Sequence, residues 1–246
     1  MWIWLWWAVG LSISTVCGLW VLRRRRDLGL GVLITIFAGY IVSANILAPR
    51  LIALDVGFGR LIVSTGSLIW PLTGQLSDMI NEVYGRRNAL WAMAISYVSN
   101  LLFVTFVFMA AGTEAVWGAE KEAAWREYFT PAGRILLAST TSFLVCQLID
   151  ITVYSLLKER FRRVEEAAGL STLMLLGGFR SLVSDLINMV CDGIIFAVLA
   201  FAFVLSTSEL LSLIYGSIIT KALIIVIDKP WFVLFRLGIR NVRREV

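Results

Sequence analysis

The chain has 246 residues, 59% of them hydrophobic, and a formal net charge of +5; its mean hydropathy is +0.83. Soluble domains are nearer half apolar. Here the excess is gathered in long runs, so the sequence describes one polytopic membrane domain and no soluble one. Histidine is absent, which excludes histidine metal sites, general bases and proton relays. Cys17, Cys146 and Cys191 lie scattered inside apolar runs without metal or redox spacing, and read as small buried hydrophobes.

A spanning helix needs about 20 mostly apolar residues. Seven stretches qualify: 2–22, 28–48, 61–80, 89–111, 133–157, 184–206 and 209–228, the last extendable through "WFVLF". The first, "MWIWLWWAVGLSISTVCGLW", has no basic residue ahead of it and no clear small-residue cleavage site. Four arginines follow, so it reads as a retained helix rather than a signal peptide. Trp2, Trp4, Trp6, Trp7 and Trp20 suit membrane-interface belts.

The third span carries Trp70 before Pro71, with Thr73 placed to help satisfy the backbone that the proline frees. Trp70 either stacks on a flat ligand or packs. The span ends in "GQLSDMINEVYGRR" (residues 74–87). Asp78, Glu82 and Arg86 are four apart and share a helical face unless Gly85 ends the helix. Glu82 is expected to pair with Arg86 at the membrane interface, leaving Asp78 one turn deeper. Gln75 shares a face with Asp78, and in the fifth span Gln147 shares one with Asp150. "LSTLMLLGGFRSLVSDLINMVCDGIIFAVLAFAFVLS" (170–206) is too long for one span and is interrupted by Gly177, Gly178 and Arg180. Residues 170–182 are therefore expected to be interfacial or re-entrant.

Positive charge sets the topology. Arg23, Arg24, Arg25 and Arg26 follow the first span, and Arg86 and Arg87 the third. Lys158, Arg160, Arg162 and Arg163 follow the fifth, and Arg236, Arg240, Arg243 and Arg244 the seventh. Alternate connections carry fewer basic residues, Arg50 and Arg60 among them, and that after the fourth span, "GTEAVWGAEKEAAWREYFTPAGR", mixes signs. The basic side is the cytoplasm by the positive-inside rule, with the N-terminus outside and the C-terminus inside an inner membrane. The net charge thus reports topology, and nucleic acid is not an expected partner.

Ionisable groups inside spans are costly and mark function or pairing. The candidates are Asp78, Asp150, Asp192 and Lys221, with the amides Asn45, Gln75, Gln147 and Asn188. Three acids from three helices fall at a similar depth. They either pair within the bundle or line a cavity for a hydrogen-bonding solute or a proton. Lys221 is either a counter-ion to an aspartate or a group facing the ligand. An amide beside a carboxylate offers donors and acceptors, which suits a planar heterocycle better than a bare ion. No Walker A, G-x-S-x-G or H-E-x-x-H motif occurs, so no enzyme chemistry, metal or cofactor is expected.

"SANILAPRLI" (43–52), "LIWPLTGQLSDMINEVYGRRNA" (68–89), "RILLASTTSFLVCQLIDITVYSLLK" (134–158), "RSLVSDLINMVCDGIIFAVLAF" (180–201) and "KALIIVIDKP" (221–230) occur in a familiar order and spacing. Over residues 28–240 the chain resembles the queuosine precursor transporters, once called the vitamin uptake transporter family. The D-x-x-x-E-x-Y-G and Q-x-x-D-x-x-x-[FY] blocks carry the resemblance most specifically. It implies an all-α polytopic fold whose six-helix core resembles the substrate-binding subunits of energy-coupling-factor transporters. Residues 28–246 would form that core, and residues 1–27 an additional N-terminal helix with its basic loop.

The resemblance further implies uptake of 7-deazaguanine bases: preQ0, preQ1 or queuine. It points to Asn45, Asp78, Gln147, Asp150, Asp192 and Lys221. Met189 stands where a glutamine is expected three residues before the third aspartate, with Asn188 alongside. The residue set does not separate preQ0 from preQ1; the latter carries an ammonium, which an acid-rich cavity favours weakly. Rival readings are a binding subunit that needs a separate energy-coupling ATPase module, and a membrane scaffold that transports nothing. Oligomeric state does not follow from the residues.

Overall fold

The structure, a computed structural model, describes residues 2–47, 50–55, 60–113, 116, 118–129, 133–167, 169–203 and 205–243. Arg244, and the side chains of Trp2, Arg60, Arg240 and Arg243, lie outside the described residues. The elements are α1 (Trp2–Arg24), α2 (Arg26–Leu47), β1 (Leu51–Asp55), β2 (Arg60–Ser64), α3 (Gly66–Tyr84), α4 (Arg86–Ala111), α5 (Ala119–Phe129), α6 (Gly133–Ala167), α7 (Leu170–Phe201) and α8 (Thr207–Arg243). The protein is an all-α polytopic membrane protein with one short antiparallel hairpin. In it Leu51 faces Ser64 and Asp55 faces Arg60.

Among the described residues six helices, α1, α2, α4, α6, α7 and α8, are long and apolar enough to cross a membrane. Their outer faces expose large apolar residues such as Leu102, Phe106, Met109, Val198 and Leu234, as a lipid-facing surface requires. The third expected span, 61–80, differs. Residues 61–64 belong to strand β2, and the helix starts at Gly66. The run "LIVS" is apolar and rich in β-branched residues, so hydropathy alone does not tell strand from helix there.

Helix α3 owes its place to its neighbours rather than to its own hydropathy. Every residue from Pro71 to Glu82 is buried, because α2, α4, α6, α7 and α8 all pack on it. Its polar residues thus face protein and not lipid. Gly85 stops the helix at a left-handed φ of 81°, and its N–H bonds the Asn81 carbonyl. Glycine alone takes that φ without strain, and α4 begins at the next residue. The core around α3 joins Phe37, Leu76, Met79, Ile80, Phe143, Ile151, Tyr154, Phe232 and Phe235.

The 170–182 stretch is not re-entrant. It is the N-terminal part of α7, which runs unbroken for 32 residues, roughly 48 Å at 1.5 Å per residue. Its two disruptive features are both absorbed by packing. Arg180 is fully buried because carboxylates meet it. A Cβ on Gly177 would collide with the Arg236 guanidinium, so that glycine admits the side chain of α8. Helix α8 likewise continues through Pro230 to Arg243. Trp6 and Trp20 are exposed as a belt requires, whereas Trp7 is buried and donates from Nε1 to the Leu68 carbonyl at 2.9 Å. The α1–α2, α3–α4 and α6–α7 turns and the end of α8 gather at one end of the bundle, the basic end. There Arg23 donates to the Gly238 carbonyl at 3.1 Å.

Candidate functional site

Polar side chains run down the middle of the bundle in three levels, set by helical spacing. Asp185, Asn188 and Asp192 on α7 follow an i, i+3, i+7 pattern and so share one face. On α3 that role falls to Gln75, Asp78 and Glu82.

Farthest from the basic end, the Lys221 ammonium is ion-paired with Asp192 Oδ2. The Ser142 hydroxyl donates to Asp192 Oδ1 at 2.6 Å. This level ties α6, α7 and α8 and is balanced in charge.

Nearest the basic end, Glu82 is the hub of a second network. Its Oε2 accepts from Arg180 Nη2 at 2.9 Å and from the Tyr154 hydroxyl at 3.0 Å. Its Oε1 accepts from Arg236 Nε at 3.1 Å. Glu165 receives the other arms of both arginines, from Arg180 Nη1 at 2.6 Å and Arg236 Nη2 at 2.7 Å. Lys158 Nζ sits 3.7 Å from Glu82 and donates to the Asn81 carbonyl at 2.6 Å. The expected Glu82–Arg86 pair is thereby corrected. Glu82 turns inward to the buried arginines, while Arg86 is exposed and donates to Thr152 Oγ1 at 3.3 Å. The buried charges supply better-matched, less screened partners than a residue at the interface.

Between these levels lie Gln75 and Asp78 of α3, Gln147 and Asp150 of α6, Asp185 and Asn188 of α7, and Asp228 and Lys229 of α8. All but Lys229 are at most 1% exposed. Asp78 feels the charges of Asp185, Asp150 and Lys229, and Asp150 those of Asp185 and Lys229, so the groups occupy one region. Lys229 Nζ pairs with Asp185 Oδ2, donates to Ser181 Oγ at 2.9 Å and lies 3.3 Å from Asp228 Oδ1. That commits one oxygen of Asp185. The other, Oδ1, has no hydrogen-bond partner and points at Gly74, where a Cβ would strike it. Asn188 Nδ2 borders the same spot.

Gln147 Nε2 donates to Thr73 Oγ1 at 3.3 Å. The remaining polar atoms of the central level have no hydrogen-bond partner. They are both oxygens of Asp78, of Asp150 and of Asp228, both amide atoms of Gln75 and of Asn188, and Gln147 Oε1. Ser181 and Ser184 lie close to Asp78 and Asp150, but neither reaches hydrogen-bonding geometry. Buried polar groups are nearly always paired in native proteins, and in a membrane an unpaired one is costly. The concentration of such groups at mid-bundle makes this level the candidate binding site.

Five of the nine residues singled out from sequence meet here: Gln75, Asp78, Gln147, Asp150 and Asn188. Asp192 and Lys221 bind each other one level away. Asn45 is paired with Asn100 of α4. Trp70 packs edge-on to Phe143 at 5.5 Å. Asp185, Asp228 and Lys229 belong to the central level and were missed. Asp185 sat beside the presumed break at 182, and Asp228 and Lys229 next to Pro230 at a presumed span end. The spacing of Asp185 from Asn188 and Asp192 was the available signal. Among the described residues no three Asp, Glu or Cys side chains converge to hold a metal ion. An open groove of about 460 Å³ between α1 and α8 is lined by Val16, Leu19, Trp231 and Leu234. It lies on the outside of the bundle and away from these groups.

A family model for vitamin uptake transporters matches residues 64–235, more than half of the chain and all of the central level. The chain belongs to the vitamin uptake transporter family. Membership agrees with the membrane-spanning fold and places the protein among uptake transporters. The matched region begins at the end of β2, so α1 and α2 precede it. No curated protein and no solved structure matches the chain, so the likeness to energy-coupling-factor subunits rests on the sequence resemblance alone.

Proposed function

We propose that this vitamin uptake transporter imports 7-deazaguanine precursors of modified tRNA bases, preQ0, preQ1 or queuine, without hydrolysing ATP itself. The observation that carries the reading is the set of buried, unpartnered groups on Asp78, Asp150, Gln75 and Asn188. A deazaguanine presents a guanine-like edge. A carboxylate accepts two hydrogen bonds from its N–H groups, and an amide meets the ring carbonyl. Asp78 and Asp150 suit the first task and Gln75, Gln147 and Asn188 the second. The base would then supply the hydrogen-bond partners that the chain itself does not.

The central level lies between two ionic levels, so a solute reaches it only when helices shift. Parting Asp192 from Lys221 would open one route, and parting Glu82 from Arg180 and Arg236 the other. The basic end faces the cytoplasm of an inner membrane in this reading, with the N-terminus outside. The deciding experiment expresses the chain alone in cells that lack their own precursor synthesis and transporter. Labelled preQ0, preQ1 or queuine is supplied and tRNA modification is read. Restored modification is the expected result. Uptake that depends on a co-purifying ATPase module would instead support the binding-subunit reading.

A further inference from the structure

The central level is rich in acceptors and poor in donors. Asp78, Asp150 and Asp228 hold six carboxylate oxygens without a hydrogen-bond partner, Asp185 a seventh, and Gln75, Gln147 and Asn188 three amide oxygens. Against these stand two unpartnered amide nitrogens, on Gln75 and Asn188. Charge is skewed the same way. Asp78, Asp150, Asp185 and Asp228 surround the single ammonium of Lys229. The neighbouring levels show no such excess of acid: Lys221 matches Asp192, and Arg180 and Arg236 match Glu82 and Glu165. The surplus of carboxyl groups is therefore confined to the level whose amides are also unpartnered.

Uncompensated charge inside a membrane protein is costly, so a ligand that brings positive charge and N–H donors gains most from this level. The acids stand on four different helices and do not converge on a point. That spread suits an extended organic cation rather than a bare metal ion. We infer that the site selects its solute as a cation: a planar base bearing an ammonium, in preference to a neutral base of the same shape. This rests on the deazaguanine reading and deepens it.

The test titrates the purified full chain in lipid nanodiscs with preQ1, which carries an ammonium, and with preQ0, which does not. The expected result is binding of preQ1 at least ~tenfold tighter at neutral pH. Asp150→Asn and Asp228→Asn should each shrink that ratio, because each removes part of the surplus. Equal affinities, as would follow if the acids carry protons in place of a bound cation, overturn the inference. So does a ratio unchanged in both variants. Binding of neither solute by a chain that still unfolds cooperatively overturns the deazaguanine reading itself, and the inference with it.

Discussion

Asp150 and Asp185 illustrate two states of a buried carboxylate. Asp185 is half committed, with one oxygen held by Lys229 and Ser181 and the other left toward Gly74. Asp150 is wholly uncommitted. Asp150→Asn is expected to lower uptake at least ~tenfold, since a hydrogen bond to a charged group is worth about 1.5–3 kcal/mol. Insertion and folding should be intact because no partner is orphaned. Labelled uptake beside membrane-fraction yield checks both halves, and normal uptake would remove Asp150 from the site. Gly74→Ala tests the approach of α3 to α7. Its Cβ would occupy the place of Asp185 Oδ1, so uptake should fall, and stability should drop by about 1–3 kcal/mol, as for other overpacked contacts. Thermal unfolding of purified protein reads the second effect.

Helices α3, α7 and α8 are held by charge as well as by packing, and the two kinds of acid on α3 should behave oppositely. Glu82 serves Arg180, Arg236 and Tyr154 at once. Glu82→Ala removes one of the two carboxylates that meet the buried Arg180 and Arg236 and leaves them Glu165 alone, at a cost of about 3–5 kcal/mol. Asp78→Asn removes an acid with no bonded partner and should leave stability unchanged or raised, while uptake falls. Unfolding midpoints for the two variants separate them, and equal loss of stability would show that Asp78 too has a structural role. At this scale the sequence misled most. Gly177, Gly178 and Arg180 look like a break in α7, and Pro230 like the end of α8, when each is read alone. Arg180 is tolerated because Glu82 and Glu165 arrive from α3 and α6, and Gly177 because Arg236 fills the space beside it.

For the whole molecule, the uneven basic residues order the ends. Arg25 lies in the α1–α2 turn, whereas Val116 is fully exposed in the connection between α4 and α5, at the opposite end. In a background with Cys17, Cys146 and Cys191 changed to serine, Val116→Cys should react with an impermeant thiol reagent on intact cells. Arg25→Cys should react only after permeabilisation. The reverse pattern would invert the proposed orientation.

Long apolar runs and the placing of arginines determined by themselves that this is a polytopic helical membrane protein, because a bilayer constrains length and hydropathy locally along the chain. Helical spacing also exposed the Gln75–Asp78 and Gln147–Asp150 faces before any contact was known. Only the tertiary structure decided which acids are occupied. Asp192 is neutralised by a lysine 29 residues away and Glu82 by arginines 98 and 154 residues away. Asp78 and Asp150 are left without hydrogen-bond partners. Pairing depends on which side chains the packing brings within a few ångströms, and a residue's own neighbours in sequence carry no record of that.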